Sequence, residues 1–176
     1  MPALLPQRRP DLFRSRRRIE RAGHYSFWVR GRHGHLPRNR EGRAGIGAFL
    51  NGDRIKVSDA SRLADALVMT GFPYNFRDDI DSILAKFRAF LCESQAVRRG
   101  GSAALDLCYV AMGRCDGFWE QNLHPWDTAA GKVILEEAGG RLSNFAGDSF
   151  SIDAKEIVAS NGNIHDEMLR VLAEQL

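Results

Sequence analysis

From Gly45 onward, apolar residues fall into short runs whose spacing alternates between the period of a strand and that of a helix. Ala48-Phe49-Leu50, Asn51-Gly52 and Ile55-Lys56-Val57 form a hairpin signal, because Asn-Gly accepts the positive φ angles of a two-residue turn. Leu67-Val68-Met69-Thr70 predicts a buried strand ending at Gly71-Phe72-Pro73. Between Asp79 and Leu91, the residues Ile80, Ile83, Leu84, Phe87 and Leu91 recur at helical spacing and predict one apolar face. Ala96-Val97-Arg98 predicts a short strand. Ser102 is placed to cap a helix through Ala111, with Gly113 stopping it. Phe118-Trp119 predicts another strand, and Pro125 sits in the first turn of a helix that runs to about Ala138 before Gly139-Gly140. Strands near Arg141–Phe145 and Ile157–Ala159 follow. Asn161 or Asn163 then caps a last helix carrying Ile164, Met168, Leu169 and Leu172. Strands and helices alternating through short loops predict a layered α/β domain.

The first 43 residues break this pattern. Pro2, Pro6, Pro10 and Pro37 interrupt them, no sustained period is visible, and RGRHGHLPRNREGR predicts loop or disorder. Charge sharpens the boundary. Residues 1–43 hold twelve arginines, no lysine and only Asp11, Glu20 and Glu41 as acids, whereas residues 44–176 hold thirteen basic and nineteen acidic side chains. The chain therefore divides into an Arg-rich segment, 1–43, expected to be disordered, and a domain, 44–176. Its net charge of +3 averages two opposite compositions. A basic arm for nucleic acid and a mitochondrial transit peptide are both open readings of the first segment. The favoured reading is a stretch without an evolved role, because arginine to the exclusion of lysine is what an out-of-frame reading of GC-rich DNA gives.

A chain of 176 residues with 44% hydrophobic content suffices for one domain with a sizeable core. Every apolar run is broken within about ten residues, too soon for a membrane-spanning helix. Cys92, Cys108 and Cys115 show no metal-binding spacing, and an odd count without a secretory signal suggests reduced thiols in a cytoplasmic protein.

Three features are candidates for chemistry, and each lies at or just before a predicted helix start. In Arg98-Arg99-Gly100-Gly101-Ser102-Ala103-Ala104, two glycines leave backbone N–H groups unshielded for a phosphate or a sugar hydroxyl, although a capped turn explains the same residues. In Asp116-Gly117-Phe118-Trp119-Glu120, the glutamate is placed to accept from a substrate hydroxyl, or is simply a solvated strand end. In His124-Pro125-Trp126-Asp127-Thr128-Ala129-Ala130-Gly131, Asp127 falls in a first helical turn, where the macrodipole alone favours a carboxylate. A metal role would need further carboxylates converging on it.

Order and spacing change the weight of these features. GGSAALDLCYVAMGRCDGFWE followed by HPWDTAAGKVILEEAGG resembles the C-terminal signature of the inositol monophosphatase family, and GAFLNGDRIKVS and LVMTGFPY resemble its central hairpin and strand. The resemblance covers about residues 45–170. It implies the C-terminal half of a layered α/β/α/β/α sandwich, usually homodimeric, in a Mg²⁺-dependent enzyme that hydrolyses inositol monophosphate or a similar sugar phosphate. By resemblance, Asp127 matches a catalytic metal ligand that also faces substrate. Gly101, Ser102 and Ala103 match the segment contacting inositol, Glu120 the glutamate binding its hydroxyls, and Arg98 an arginine near the substrate site and dimer interface. The family's N-terminal glutamate ligand and D-P-x-D-G-T element have no counterpart in this sequence. The chain is thus expected to be a truncated or frame-disrupted member, weakly active or inactive alone. Related phosphatases of the fructose bisphosphatase type, and a non-catalytic protein associating with RNA or transcription machinery, are the alternatives.

Overall fold

The computed structural model describes residues 20–22, 25–29, 47–51 and 53–175. A four-stranded antiparallel sheet is built from β1 (Glu20–Ala22), β2 (Tyr25–Val29), β3 (Ala48–Leu50) and β4 (Asp53–Arg54), in that order. The predicted hairpin is β3–β4. Leu50 pairs with Asp53, and Asn51 takes φ 54°. Its second arm begins two residues earlier than Ile55, although the Ile55 N–H still donates to the Ala48 carbonyl at 2.9 Å. Strands β1 and β2 lie inside the segment where no strand periodicity is visible. Tyr25-Ser26-Phe27-Trp28-Val29 is rich in residues that favour a pleated surface, and β2 finds its partner in β3, nineteen or more residues away in sequence. The rest of the Arg-rich segment lies outside the described residues.

The second sheet has five strands: β5 (Leu67–Thr70), β6 (Ala96–Arg99), β7 (Gly117–Gln121), β8 (Arg141–Ser143) and β9 (Glu156–Ser160), in the order β6-β5-β7-β9-β8. β5 is parallel to both β6 and β7, while β9 runs antiparallel to β7 and β8. Helices α1 (Ile80–Glu93), α2 (Ala103–Ala111), α3 (Pro125–Glu137) and α4 (His165–Ala173) cover it. α2 and α3 pack on one face, and α3 also meets β2 and β3. α1 and α4 pack on the other face. Four layers result, sheet, helices, sheet, helices, in the sandwich arrangement expected from the sequence.

Successive residues of each central strand feed the two cores. Met69, Phe118, Ile157 and Ala159 join Leu107, Val110, Ile134 and Leu135 beneath α2 and α3. Val68, Trp119 and Val158 join Phe90, Met168, Val171 and Leu172 beneath α1 and α4. Every residue of β7 is buried, as expected for a strand covered on both faces. Trp119 stacks on Phe90 with centroids 5.3 Å apart.

Two local contacts decide helix placement. α2 and α3 approach closely at Gly131, where a Cβ would lie 2.6 Å from Leu107 Cδ1 and 2.7 Å from Leu107 Cβ. The last helix is preceded by Asn161, whose Oδ1 accepts from the Asn163 and Ile164 N–H groups, so Asn161 rather than Asn163 serves that helix start.

The apolar face expected on α1 is only partly the buried one. Ile83 and Phe90, seven residues apart, enter the core with Lys86 between them, and the Lys86 ammonium bonds Ser82 Oγ. Ile80, Leu84 and Leu91 stay 37%, 50% and 51% exposed. The helix carries two apolar lines, and contact with α4 and β6 engages just one of them. Among the described residues no helix is long and apolar enough to cross a membrane.

Candidate active site

Parallel β5, β6 and β7 all end at one edge of the sheet, and the chain leaves each of them into a cleft of about 680 Å³. A cleft outside the carboxyl ends of parallel strands is the general ligand position in open α/β sheets. Gly71–Asn75 follow β5, Arg99 to Ala104 join β6 to α2, and Glu120 to His124 leave β7. Trp126 and Asp127 come from the first turn of α3. The N-termini of α2 and α3 thus point into the same space, which suits an anion or a polar ligand.

Gly101, Ser102, Ala103, Glu120 and Asp127, all marked in the sequence, line this cleft together. Gly101 has φ 90°, a conformation that favours glycine. Ser102 occupies the N-cap of α2, but its side chain makes no capping bond, contrary to the capping role expected of it. The hydroxyl is left for the cleft.

Glu120 is buried near the end of β7, its carboxyl group resting on Gly71, where a Cβ would fall 2.2–2.3 Å from the carboxyl atoms. Burial raises its pKa to about 7, the Asp106 and Asp127 carboxylates push the same way, and Arg99 opposes them. Asp127 is half-buried. Its Oδ2 accepts from the His124 N–H at 3.0 Å, and its own N–H donates to the His124 carbonyl at 2.9 Å. The side chain is thereby tied to the helix start. The His124 ring stacks on the exposed Trp126, centroids 4.5 Å apart.

Arg98 is not brought to the cleft. It lies on edge strand β6, exposed, with Nη1 donating to the Val97 carbonyl at 2.9 Å. Its neighbour Arg99 lines the cleft instead, 5.8 Å from the centroid of Phe72. Adjacent strand residues point to opposite sides, so one of the two arginines had to face away, and the sequence carries no sign of which. Asp106 was also missed. It is fully buried in the first turn of α2, with its pKa raised by burial to about 7. A lone acid inside the apolar run Ala103-Ala104-Leu105-Asp106-Leu107 was the available signal.

Mg²⁺ requires several hard oxygen ligands in near-octahedral geometry. Among the described residues no group of three His, Cys, Asp or Glu side chains is placed to hold a metal ion. Glu120 and Asp127 alone do not make such a site.

The model of the inositol monophosphatase family matches residues 37–176. The chain belongs to that family.

Its relatives within the inositol monophosphatase family agree in the region covered. An inositol-1-monophosphatase of Synechocystis is 43% identical over 128 residues, 73% of this chain and 45% of the relative. A Nus factor SuhB of Pseudomonas aeruginosa is 42% identical over 134 residues, 75% of this chain and 49% of the relative. The solved inositol monophosphatase of Anabaena superposes with a TM-score of 0.72 at 46% identity, over 74% of this chain and 52% of that one. The chain thus spans about half the length of the curated relatives it matches. Members of the family are generally metal-dependent.

Proposed function

We propose that this chain is the ligand-recognition half of an inositol-phosphate phosphatase, a phosphate monoester hydrolase acting with Mg²⁺. The observation that carries the reading is the convergence of Gly101, Ser102, Ala103, Glu120 and Asp127 on one cleft at the strand ends. Each group has a definite use there. The Gly101–Ala103 backbone and the Ser102 hydroxyl meet ring hydroxyls at the start of α2. The Glu120 carboxyl, fixed against Gly71, bonds a further hydroxyl. Asp127, held at the start of α3 by the His124 N–H, is the ligand this chain offers to a cation. In this reading the chain's own residues bind and orient the ligand.

Calorimetric titration with inositol 1-phosphate tests this. Binding is expected to weaken roughly tenfold in Glu120→Ala, which removes the hydrogen bonding of that carboxyl to the ligand hydroxyls. Equal affinity in wild type and variant would refute the assignment. Homodimerisation is part of the same proposal, and the exposed Ile80, Leu84 and Leu91 on α1 supply a surface for it.

Likeness to proteins named Nus factor SuhB supports a second reading, a non-catalytic protein associating with RNA or transcription machinery. Salt-dependent RNA binding that survives removal of residues 1–43 would favour it. Binding that vanishes with those residues is nonspecific charge.

A further inference from the structure

Asp106 has no part in the function proposed above, yet its charge acts on Glu120. Its side chain is fully buried, and neither carboxyl oxygen has a hydrogen-bond partner. A charged group in that state is costly, so such a residue either keeps a proton or answers to its neighbours. Its Oδ1 packs against Gly100, where a Cβ would stand 2.1 Å away, just as Glu120 packs against Gly71. Thr70 and Arg99 are register partners across β5 and β6, so Gly71 and Gly100 are the next residues at adjacent strand ends. Each carboxyl group therefore rests on the first residue past one of two adjacent strands; Glu120 lines the cleft and Asp106, from α2, does not.

We propose that Asp106 is a positioning residue that acts through Glu120: the pair holds one proton at neutral pH, so that Glu120 both donates to one ligand hydroxyl and accepts from another. The inference rests on the reading of Glu120 as the hydroxyl-binding carboxylate. The charged surroundings support it from each element packed there. Arg99, at the end of β6, is the cation that acts on both acids. Asp127, from α3, adds negative charge on the Glu120 side. The Cys115 thiol beyond α2 is pushed up to about 11 by burial and by Asp106, so it stays neutral and contributes no charge. Two buried acids thus share one cation: burial raises Asp106 to about 7, and burial with the added repulsion of Asp106 and Asp127 raises Glu120 to about 7. A vicinal diol presents both donors and acceptors, and a Glu120 carboxyl that keeps a proton matches that chemistry where a carboxylate would only accept.

Carbon-13 NMR of the side-chain carboxyl carbons in the full chain, without ligand or metal, tests the coupling. The Glu120 titration midpoint is expected near neutral pH in the wild type. Asp106→Asn should move it down by roughly one pH unit, and Arg99→Gln should move it up. A Glu120 midpoint in the ordinary carboxylate range, or one unmoved by Asp106→Asn, overturns the proposal. If Asp106→Asn does not fold, the exposed Arg99→Gln and the wild-type midpoint decide. Calorimetry with inositol 1-phosphate across pH provides the functional readout, and the pH at which affinity changes should follow the Glu120 midpoint in each variant. An affinity change that ignores that midpoint also counts against the pair. Normal coupled titration with no inositol 1-phosphate binding would instead sink the proposed function alone.

Discussion

Replacing Gly131 with alanine should destabilise the domain even though alanine is the better helix former. A methyl group at this position meets Leu107 Cβ at 2.7 Å and Leu107 Cδ1 at 2.6 Å, whereas carbon atoms pack at about 3.5–4.0 Å. The Cδ1 contact can be relieved by a rotamer change, but Leu107 Cβ is fixed to the backbone of α2. The two helices must therefore separate by about an ångström. Overpacking of this kind costs roughly 1–3 kcal/mol. Alanine's helix preference returns about 0.5–1 kcal/mol. The net loss is up to about 2.5 kcal/mol, a fall of as much as several degrees in Tm for a domain of this size. Thermal and guanidinium melts followed by circular dichroism measure it. The two helix starts carry Ser102 and Asp127, so weakened binding of inositol 1-phosphate should accompany the lower Tm. A Gly131→Ala variant more stable than wild type would show that the helices are not in close contact there and that propensity alone governs the site.

Three further outcomes follow from specific residues. His165 is fully buried, with its ring nitrogens 2.9 Å from Ser143 Oγ and Ser160 Oγ, and burial lowers its pKa from 6.5 to about 4. A depressed pKa gives stability that is present above pH 6.5 and lost as pH falls through about 4, an amount of up to roughly 3 kcal/mol. Asp106 and Glu120, whose values are raised, act in the opposite sense and destabilise as pH rises through about 7. The His165 contribution should therefore appear as a smaller acid loss in His165→Gln than in wild type during pH-dependent melts, and identical acid losses would disprove it. Leu84→Asp places a charge in the exposed apolar line of α1, and it should shift any dimer to monomer in sedimentation velocity without lowering Tm. An unchanged dimer would locate the interface elsewhere. The chain alone, given Mg²⁺ and inositol 1-phosphate, should release phosphate barely above background. Turnover within an order of magnitude of an intact relative would mean that the required residues have been misjudged.

The sequence revealed most where one local feature decides the outcome. Strand Leu67–Thr70 matches its expected limits, and Ser102 and Pro125 marked the starts of α2 and α3. Where the decision belongs to packing, the sequence is silent. Tyr25–Val29 has strand composition but no visible alternation, and its pairing with β3 closes a loop that no local pattern announces. Both apolar lines of α1 look equally fit for burial until α4 chooses between them. Arg98 and Arg99 differ only in which side of an edge strand they face. Asp106 looks like an ordinary first-turn acid, and only the fold puts its Oδ1 against Gly100 and leaves both oxygens buried without a partner.

Asp127 tests most directly whether this chain carries half of a metal-dependent phosphatase site. The chain would be joined in frame to the N-terminal half of a relative, such as the Synechocystis inositol-1-monophosphatase, and phosphate release from inositol 1-phosphate followed at fixed Mg²⁺ for Asp127 and for Asp127→Asn. Asparagine keeps the shape and can still accept from the His124 N–H, but it removes the charge offered to the cation. The expected result is a fall on the order of 100-fold or more, partly recovered by excess Mg²⁺. Equal rates for the two proteins would reduce Asp127 to a helix-start aspartate and contradict the assignment of the site.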